Sequence, residues 1–276
     1  MTGPVQEKSE FWRHACFHDL ALMKARSTRH RYELHTHPTY VIALITEGCE
    51  RIRIGHRTII APAGTIAIVN PEECHDGAPG ADGGWAYRTF YPSVSLLTSI
   101  ARELGQDRPP LFPRHLIEDS DLAGAMAEAH AGSTSHDATG AEATLLVALR
   151  RLILRYGDWN GTPERAESAG SRQRFLLYER IIEDDAASGL DLQRFAHAAG
   201  VTRFQVIRDF KKQTGLTPTS FIRNRRLRRA ARLIEHGFSL AEAAVAAGFS
   251  DQSHLSRTFR ATHGITPGAF QRSLIS

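Results

Sequence analysis

The C-terminal third of this chain carries one pattern twice. Asp191-Leu192…Ala196…Gly200…Phe210…Gly215…Pro218…Phe221 returns as Ser239-Leu240…Ala244…Gly248…Phe259…Gly264…Pro267…Phe270. The offset is 48 residues as far as the glycine turn and 49 after it, so one residue is inserted at the junction. Each copy supplies a capping side chain, a short apolar helix, a glycine turn and a second helix with a basic outer face. That is the layout of a helix-turn-helix, whose second helix enters the major groove of DNA. One capped amphipathic helix pair would fit any helical bundle. Two in register, with matching Gly and Pro positions, point to sequence-specific DNA binding.

The charge distribution agrees. The 276 residues have a net charge of +4, but from Gln173 onward sixteen Lys/Arg face nine Asp/Glu, and before it eighteen face twenty-one. A basic half joined to a slightly acidic half suggests that only one of them meets a polyanion. Three cysteines, Cys16, Cys49 and Cys74, contain no CxxC pair. This argues against a disulfide framework or a zinc finger and fits a reducing compartment. The polar stretch Met1 to Glu10 lacks an apolar signal core, and the longest apolar run, Tyr40 to Ile45, is too short to span a bilayer. The expectation is a soluble cytoplasmic protein with no membrane partner.

In the first copy, of about residues 190–212, Asp191 caps the leading helix and Leu192, Phe195, Ala196 and Ala199 form its buried face. Gly200 suits a left-handed turn, Thr202 caps the recognition helix, and Val206 and Phe210 point inward. Arg203, Phe204, Ile207, Arg208 and Lys211 are left for DNA; Phe204 and Ile207 either meet thymine methyls or one of them joins the core. In the second copy, about 239–261, Ser239 caps, Leu240, Ala243 and Ala244 pack, and Ser250 or Asp251 caps a helix with Leu255 and Phe259 inside. Its outward set includes Gln252, Ser253, His254, Ser256, Arg257 and Arg260. Arg can bond both acceptors of a guanine edge and Gln can pair with adenine, each worth about 1–3 kcal/mol of discrimination. Between the copies, Phe221 to Glu235 reads as one helix with Leu227, Ala230, Ala231 and Ile234 buried. Its six arginines, 223, 225, 226, 228, 229 and 232, divide between phosphate contacts, Arg226 among them, and charges that are solvated or paired with acids.

The N-terminal part has a different texture. From about Phe11 to Pro92, short β-rich runs alternate with Gly and Pro turns at roughly ten-residue spacing, as in a small sandwich or barrel. Tyr40–Thr46 is one strand, Glu47-Gly48 a turn, and Arg51–Ile54 the next strand. Ser93–Leu104, Asp119–Ala131 and Ala141–Tyr156 read as helices, the last with Leu145, Leu149, Leu152 and Tyr156 on one face and Arg150, Arg151 and Arg155 off it. These helices either form a dimer interface or cover the open side of the barrel. Asp158–Ser171 is polar and Gly/Pro-containing, a linker.

The C-terminal stretch resembles the AraC/XylS class of bacterial transcription regulators. The match lies in Arg226-Leu-Arg-Arg-Ala-Ala-Arg-Leu-Ile234, Ala243-Ala-Val-Ala-Ala-Gly-Phe-Ser-Asp-Gln-Ser-His-Leu-Ser-Arg-Thr-Phe-Arg260 and Gly264-Ile-Thr-Pro-Gly-Ala-Phe270. The resemblance covers about 100 residues and implies a seven-helix unit with two helix-turn-helix subdomains on promoter DNA. It places base readers at Phe204, Ile207 and Arg208, and at Gln252, Ser253, His254 and Arg257. Asp209 departs from the pattern, being acidic where many members are neutral or basic; a carboxylate facing phosphate would weaken the first contact, and the sequence leaves its orientation open. His35-Thr-His37-Pro38, the strand after it, Pro62-Ala-Gly64 and His75 look like a cupin-type barrel. Such barrels commonly sense small molecules in this family. A metal cupin would follow its HxH with Glu and its PxG with His, where this chain has Val41 or Ile42, and Ala67. No metal, cofactor or catalytic residue is therefore expected. Any effector would meet His35, His37, His75, Trp85 and Tyr87 at the barrel mouth, with Arg51 or Arg53 offering a positive charge to an acidic one.

The fold class expected is α+β. Residues 1–110 form a cupin-like effector domain, 111–157 a helical dimerisation or cover segment, 158–172 a linker, and 173–276 an all-α DNA-binding domain. The function is a regulator responding to a small-molecule effector, partnered by double-stranded promoter DNA, a second copy of itself and, if it activates, RNA polymerase. Two alternatives stand: an effector-independent regulator whose barrel only oligomerises, and a metal-dependent cupin enzyme.

Overall fold

The computed structural model describes residues 7–135, 137–159, 169–184 and 191–274. The chain is α+β and divides into two compact units: residues 7–32, 37–159 and 272–274 in one, 33–36, 169–184 and 191–271 in the other. No helix among the described residues is long and apolar enough to cross a membrane.

The first unit is built on strands β1 (Lys8–Arg13), β2 (Leu20–Ser27), β4 (Val41–Ile54), β5 (Arg57–Pro62), β6 (Ile66–Val69), β7 (His75–Pro79), β8 (Trp85–Pro92) and β9 (Leu116–Ile117), together with Tyr32, the first residue of β3 (Tyr32–His35). β4 organises them. Its first half pairs antiparallel with β6 and β8, its second half with β5 and β7. The sequence reading put a turn at Glu47-Gly48, but the chain does not reverse there. The register slips between Ile45 and Glu47, and Gly48 takes φ +68°. A bulge followed by a left-handed glycine bends a strand from one sheet into the next, so two expected strands are one of 14 residues. Gly48 also has to be glycine for space, because a Cβ there would lie 2.0 Å from the Gly84 carbonyl oxygen.

Three helices pack on this sheet: α1 (Val94–Glu103), α2 (Ser120–Gly132) and α3 (Ala138–Tyr156), capped by Ser93, Asp119 and Asp137. Leu122 and Met126 of α2 and Leu145, Leu149 and Leu152 of α3 share one buried cluster with Leu20, Leu22, Ile42, Ile68 and Phe90 of the sheet. The helices thus cover the sheet, and Arg150, Arg151 and Arg155 stay outside as the periodicity required. The far side of α3 leaves Val147 and Leu154 exposed. The sheet continues past residue 110, where the sequence reading ended the barrel: β9 pairs with β6, and Phe112 is fully buried in the same core.

The second unit is helical: α4 (Ala169–Asp184), α5 (Leu192–Ala199), α6 (Arg203–Thr214), α7 (Pro218–Glu235), α8 (Leu240–Ala246), α9 (Gln252–His263) and α10 (Pro267–Arg272). The linker expected at 158–172 falls on residues 160–168, which lie outside the described set, while 169–172 already form the first turn of α4.

Candidate nucleic-acid interface and barrel site

The two helix pairs are set by the caps and turns that their sequences supply. Asp191 accepts from the Gln193 amide and Thr202 from the Gln205 amide. Ser239 and Glu242 form a reciprocal capping box at the start of α8. Asp251, rather than Ser250, caps α9, accepting from the His254 amide at 2.7 Å. Gly200 closes α5 in the left-handed region, and Gly215 and Gly264 close α6 and α9 in the same way. Phe195, Val206 and Phe210 pack with Phe175 and Tyr178 of α4 in one core; Ala243, Ala244, Leu255 and Phe259 are buried in the second pair.

That packing fixes what each recognition helix shows to solvent. On α6, Arg203, Phe204, Arg208 and Lys211 are exposed and Ile207 is half-buried, all on one side. Phe204, 79% exposed, is the most exposed large apolar side chain among the described residues and is plainly not core. On α9, Gln252, Ser253, Arg257 and Arg260 are exposed. His254 is half-buried, its ring edge-on to Phe249 at 5.2 Å and its Nδ1 3.1 Å from the Ser250 hydroxyl. It braces the start of the helix as well as facing outward.

The six arginines of α7 separate into classes. Arg225 bonds Glu179 and Glu183 of α4, both at 3.1 Å, and lies over the Phe221 ring. Arg223 pairs with Glu33 at 2.8 Å. Arg226 and Arg228 are half-buried, each with its Nε shut off from solvent, and Arg229 and Arg232 are exposed. Asp209, whose orientation the sequence leaves open, points inward. It does not face phosphate; it is 1% exposed. Its Oδ1 accepts from Arg174 Nη2 (2.8 Å), Gln205 Nε2 (2.8 Å) and the Ser171 hydroxyl (3.0 Å), and its Oδ2 from Arg174 Nε (2.6 Å) and the Tyr178 hydroxyl (3.2 Å). Burial alone would raise its pKa, but these donors, Arg174 foremost, hold it below the usual carboxylate range. Gln205 in turn accepts from Arg208 Nη2 at 2.6 Å, so the buried carboxylate is linked to an outward arginine through one amide.

In the barrel, Trp85 is buried and stacks on Tyr87 with ring centroids 5.7 Å apart. The Tyr87 and Tyr32 hydroxyls bond each other. His37 and His75 have centroids 5.3 Å apart, and Tyr91 lies 5.5 Å from His37. His35 and His75 each set Nδ1 against the carbonyl oxygen two residues back, at 2.6 and 2.9 Å, which leaves Nε2 as the outer nitrogen. Burial pushes His75 down to about 4, so it stays neutral.

Arg51 and Arg53 do not face this site. They alternate with the buried Ile52 and Ile54 and pair with Asp76, Arg53 at 2.8 Å and Arg51 at 3.8 Å. The inward ionisable group of this stretch is Glu50, which the sequence reading passed over. Alternation in Glu50-Arg-Ile-Arg-Ile54 was the available signal, since it puts Glu50 on the side of Ile52.

Comparison with known families settles the class. Residues 17–151 match the AraC-like ligand binding domain and residues 195–273 a helix-turn-helix domain. The chain belongs to the AraC family of transcriptional regulators. Among its AraC-family relatives, the uncharacterized HTH-type transcriptional regulator YbfI of Bacillus subtilis is 26% identical over 230 residues, 82% of each chain. The HTH-type transcriptional activator RhaS of Escherichia coli is 24% identical over 243 residues, 84% of this chain and 85% of RhaS. Two solved structures of ToxT from Vibrio cholerae share the fold. An apo variant has a TM-score of 0.55 at 12% identity, covering 93% of this chain and 98% of ToxT. The unsaturated fatty acid-bound wild type has a TM-score of 0.53 at 12% identity, covering 98% and 97%.

Proposed function

We propose that this AraC-family regulator binds double-stranded promoter DNA through α6 and α9 together and that a small molecule held in its barrel changes that binding. The observation that carries the reading is the pair of outward faces, Arg203–Phe204–Ile207–Arg208–Lys211 and Gln252–Ser253–His254–Arg257, each presented by a capped helix on its own small core. Arg208, Gln252 and Arg257 carry planar donor groups suited to base edges. Phe204 gives a thymine methyl an apolar partner, and Arg203 and Lys211 meet phosphate. Arg226 contributes less than its exposed neighbours Arg229 and Arg232. An 18-residue α7 is about 27 Å long, a length compatible with recognition helices in successive major grooves about 34 Å apart.

The effector would sit among His35, His37, His75, Trp85 and Tyr87. To act as a switch it must bind one DNA-binding state better than the other, because equal affinity shifts nothing. The exposed Val147 and Leu154 on α3 favour a homodimer. Such a regulator works in the cytoplasm, and as an activator it would also meet RNA polymerase.

Fluorescence anisotropy with duplexes taken from upstream of its own and neighbouring genes tests this. The expected result is tight binding that weakens steeply with salt and shifts when a metabolite panel is added. Equal affinity for all duplexes would sink the sequence-specific reading, and indifference of a specific complex to every metabolite would favour a barrel that only oligomerises.

A further inference from the structure

Glu50 is a carboxylate without an internal partner. It is 8% exposed on the inward side of β4, and among the described residues no hydrogen bond or ion pair reaches it. Buried carboxylates are normally paired, since desolvating a charge costs far more than burying a neutral group. The surroundings are aromatic. A Cβ on Gly77 would lie 2.5 Å from Glu50 Oε1 and 3.2 Å from Tyr32 Cδ2, so the carboxylate and the Tyr32 ring share the space above that glycine. Tyr32 meets Tyr87 through their hydroxyls, and Tyr87 stacks on Trp85. The charge of Glu50 also reaches Tyr91. Trp85 is 2% exposed, and among the described residues its indole N–H has no acceptor. Two unsatisfied polar groups, an acceptor and a donor, thus stand at the two ends of one aromatic wall.

The geometry points to Glu50, walled by Tyr32, Tyr87, Tyr91 and Trp85, as the seat of an ammonium group, which makes the effector a small organic amine. This rests on the reading of the barrel as the effector domain and names the chemistry of that site. The nearby arginines cannot serve an acidic ligand from here, because Arg51 and Arg53 lie on the other face of β4 in pairs with Asp76. Tyrosine and tryptophan faces attract cations most strongly where water is excluded. A charged donor also makes a stronger hydrogen bond to a carboxylate than a hydroxyl does. The Trp85 N–H then awaits an acceptor elsewhere on the same ligand. Burial, reinforced by Asp76, pushes the Glu50 carboxyl up to about 8, so it is mostly protonated at neutral pH and gives up its proton when an ammonium arrives.

The test uses the full-length protein and probes matched in skeleton: phenethylamine, 2-phenylethanol and phenylacetate, with butylamine, butanol and butyrate as a second set. Thermal shift and calorimetric titration should show an amine binding about tenfold or more tighter than its alcohol or acid. In Glu50→Gln that preference should disappear, and Glu50→Met, which fills the same space without an acceptor, should behave alike. Calorimetry in buffers of different ionisation enthalpy should register close to one proton released per bound amine at pH 7. Preference for the acid, equal binding within a set, unchanged amine affinity in both variants, or no binding by either amine would overturn the assignment. If an alcohol or acid binds instead and alters affinity for DNA, the effector reading stands while the amine assignment falls. If no probe or metabolite alters DNA affinity, both fall.

Discussion

Asp209 shows how a single buried charge can set up a surface. Five donors from α4 and α6 converge on it, and one of them, Gln205, also holds Arg208. Removing it would leave Arg174 facing a void, so Asp209→Ala should cost about 3–5 kcal/mol, read from denaturant melts of the full chain. Its depressed pKa fixes the sign of the pH effect. The stability it contributes is present above the unfolded carboxylate range and is lost as pH falls through the lower folded value. Glu50 has the opposite sign. With its carboxyl raised to about 8, ionisation opposes folding, and stability is lost as pH rises from the unfolded carboxylate range toward that value. Without ligand, Glu50→Gln should therefore melt higher than wild type at pH 8, and the gap should close near pH 4.5. A gap that is independent of pH would mean that the carboxylate is solvated or paired in the native state.

The same contrast runs through the elements. Helices announced themselves: the caps, the glycine stops and the 3.6-residue stripes of α3, α6 and α9 are local signals, and the structure places them within a few residues of expectation. The two-headed architecture was legible for the same reason, since it is a repeat. What sequence could not supply was long-range. Whether Asp209 faces phosphate or core depends on α4, 35 residues earlier in the chain at Arg174. Whether Glu47-Gly48 turns or bends depends on Gly84, whose carbonyl occupies the space beside Gly48. Burial of Glu50 depends on Tyr32 and Gly77 in two other strands. The corner in β4 is open to a direct test. Gly48→Ala combines a left-handed backbone with a 2.0 Å clash against a carbonyl, so it should destabilise the first unit by at least about 2 kcal/mol. Near-ultraviolet circular dichroism, which reports Trp85 and the tyrosines around it, would register the loss; an unaltered spectrum and melt would show that the bulge can relax.

At the scale of the molecule, the central claim is that one chain reads DNA with two helices at once. Each has its own core, caps and outward donors, so each should specify its own block of base pairs. Selection from a random duplex pool, run with wild type, Arg208→Ala and Arg257→Ala, tests this most directly. Two conserved blocks about one helical turn, 10–10.5 base pairs, apart are expected. Arg208→Ala should relax the preference in one block only and Arg257→Ala in the other, with thermal melts of both variants unchanged. A single block, or two blocks weakened together by either substitution, would contradict it.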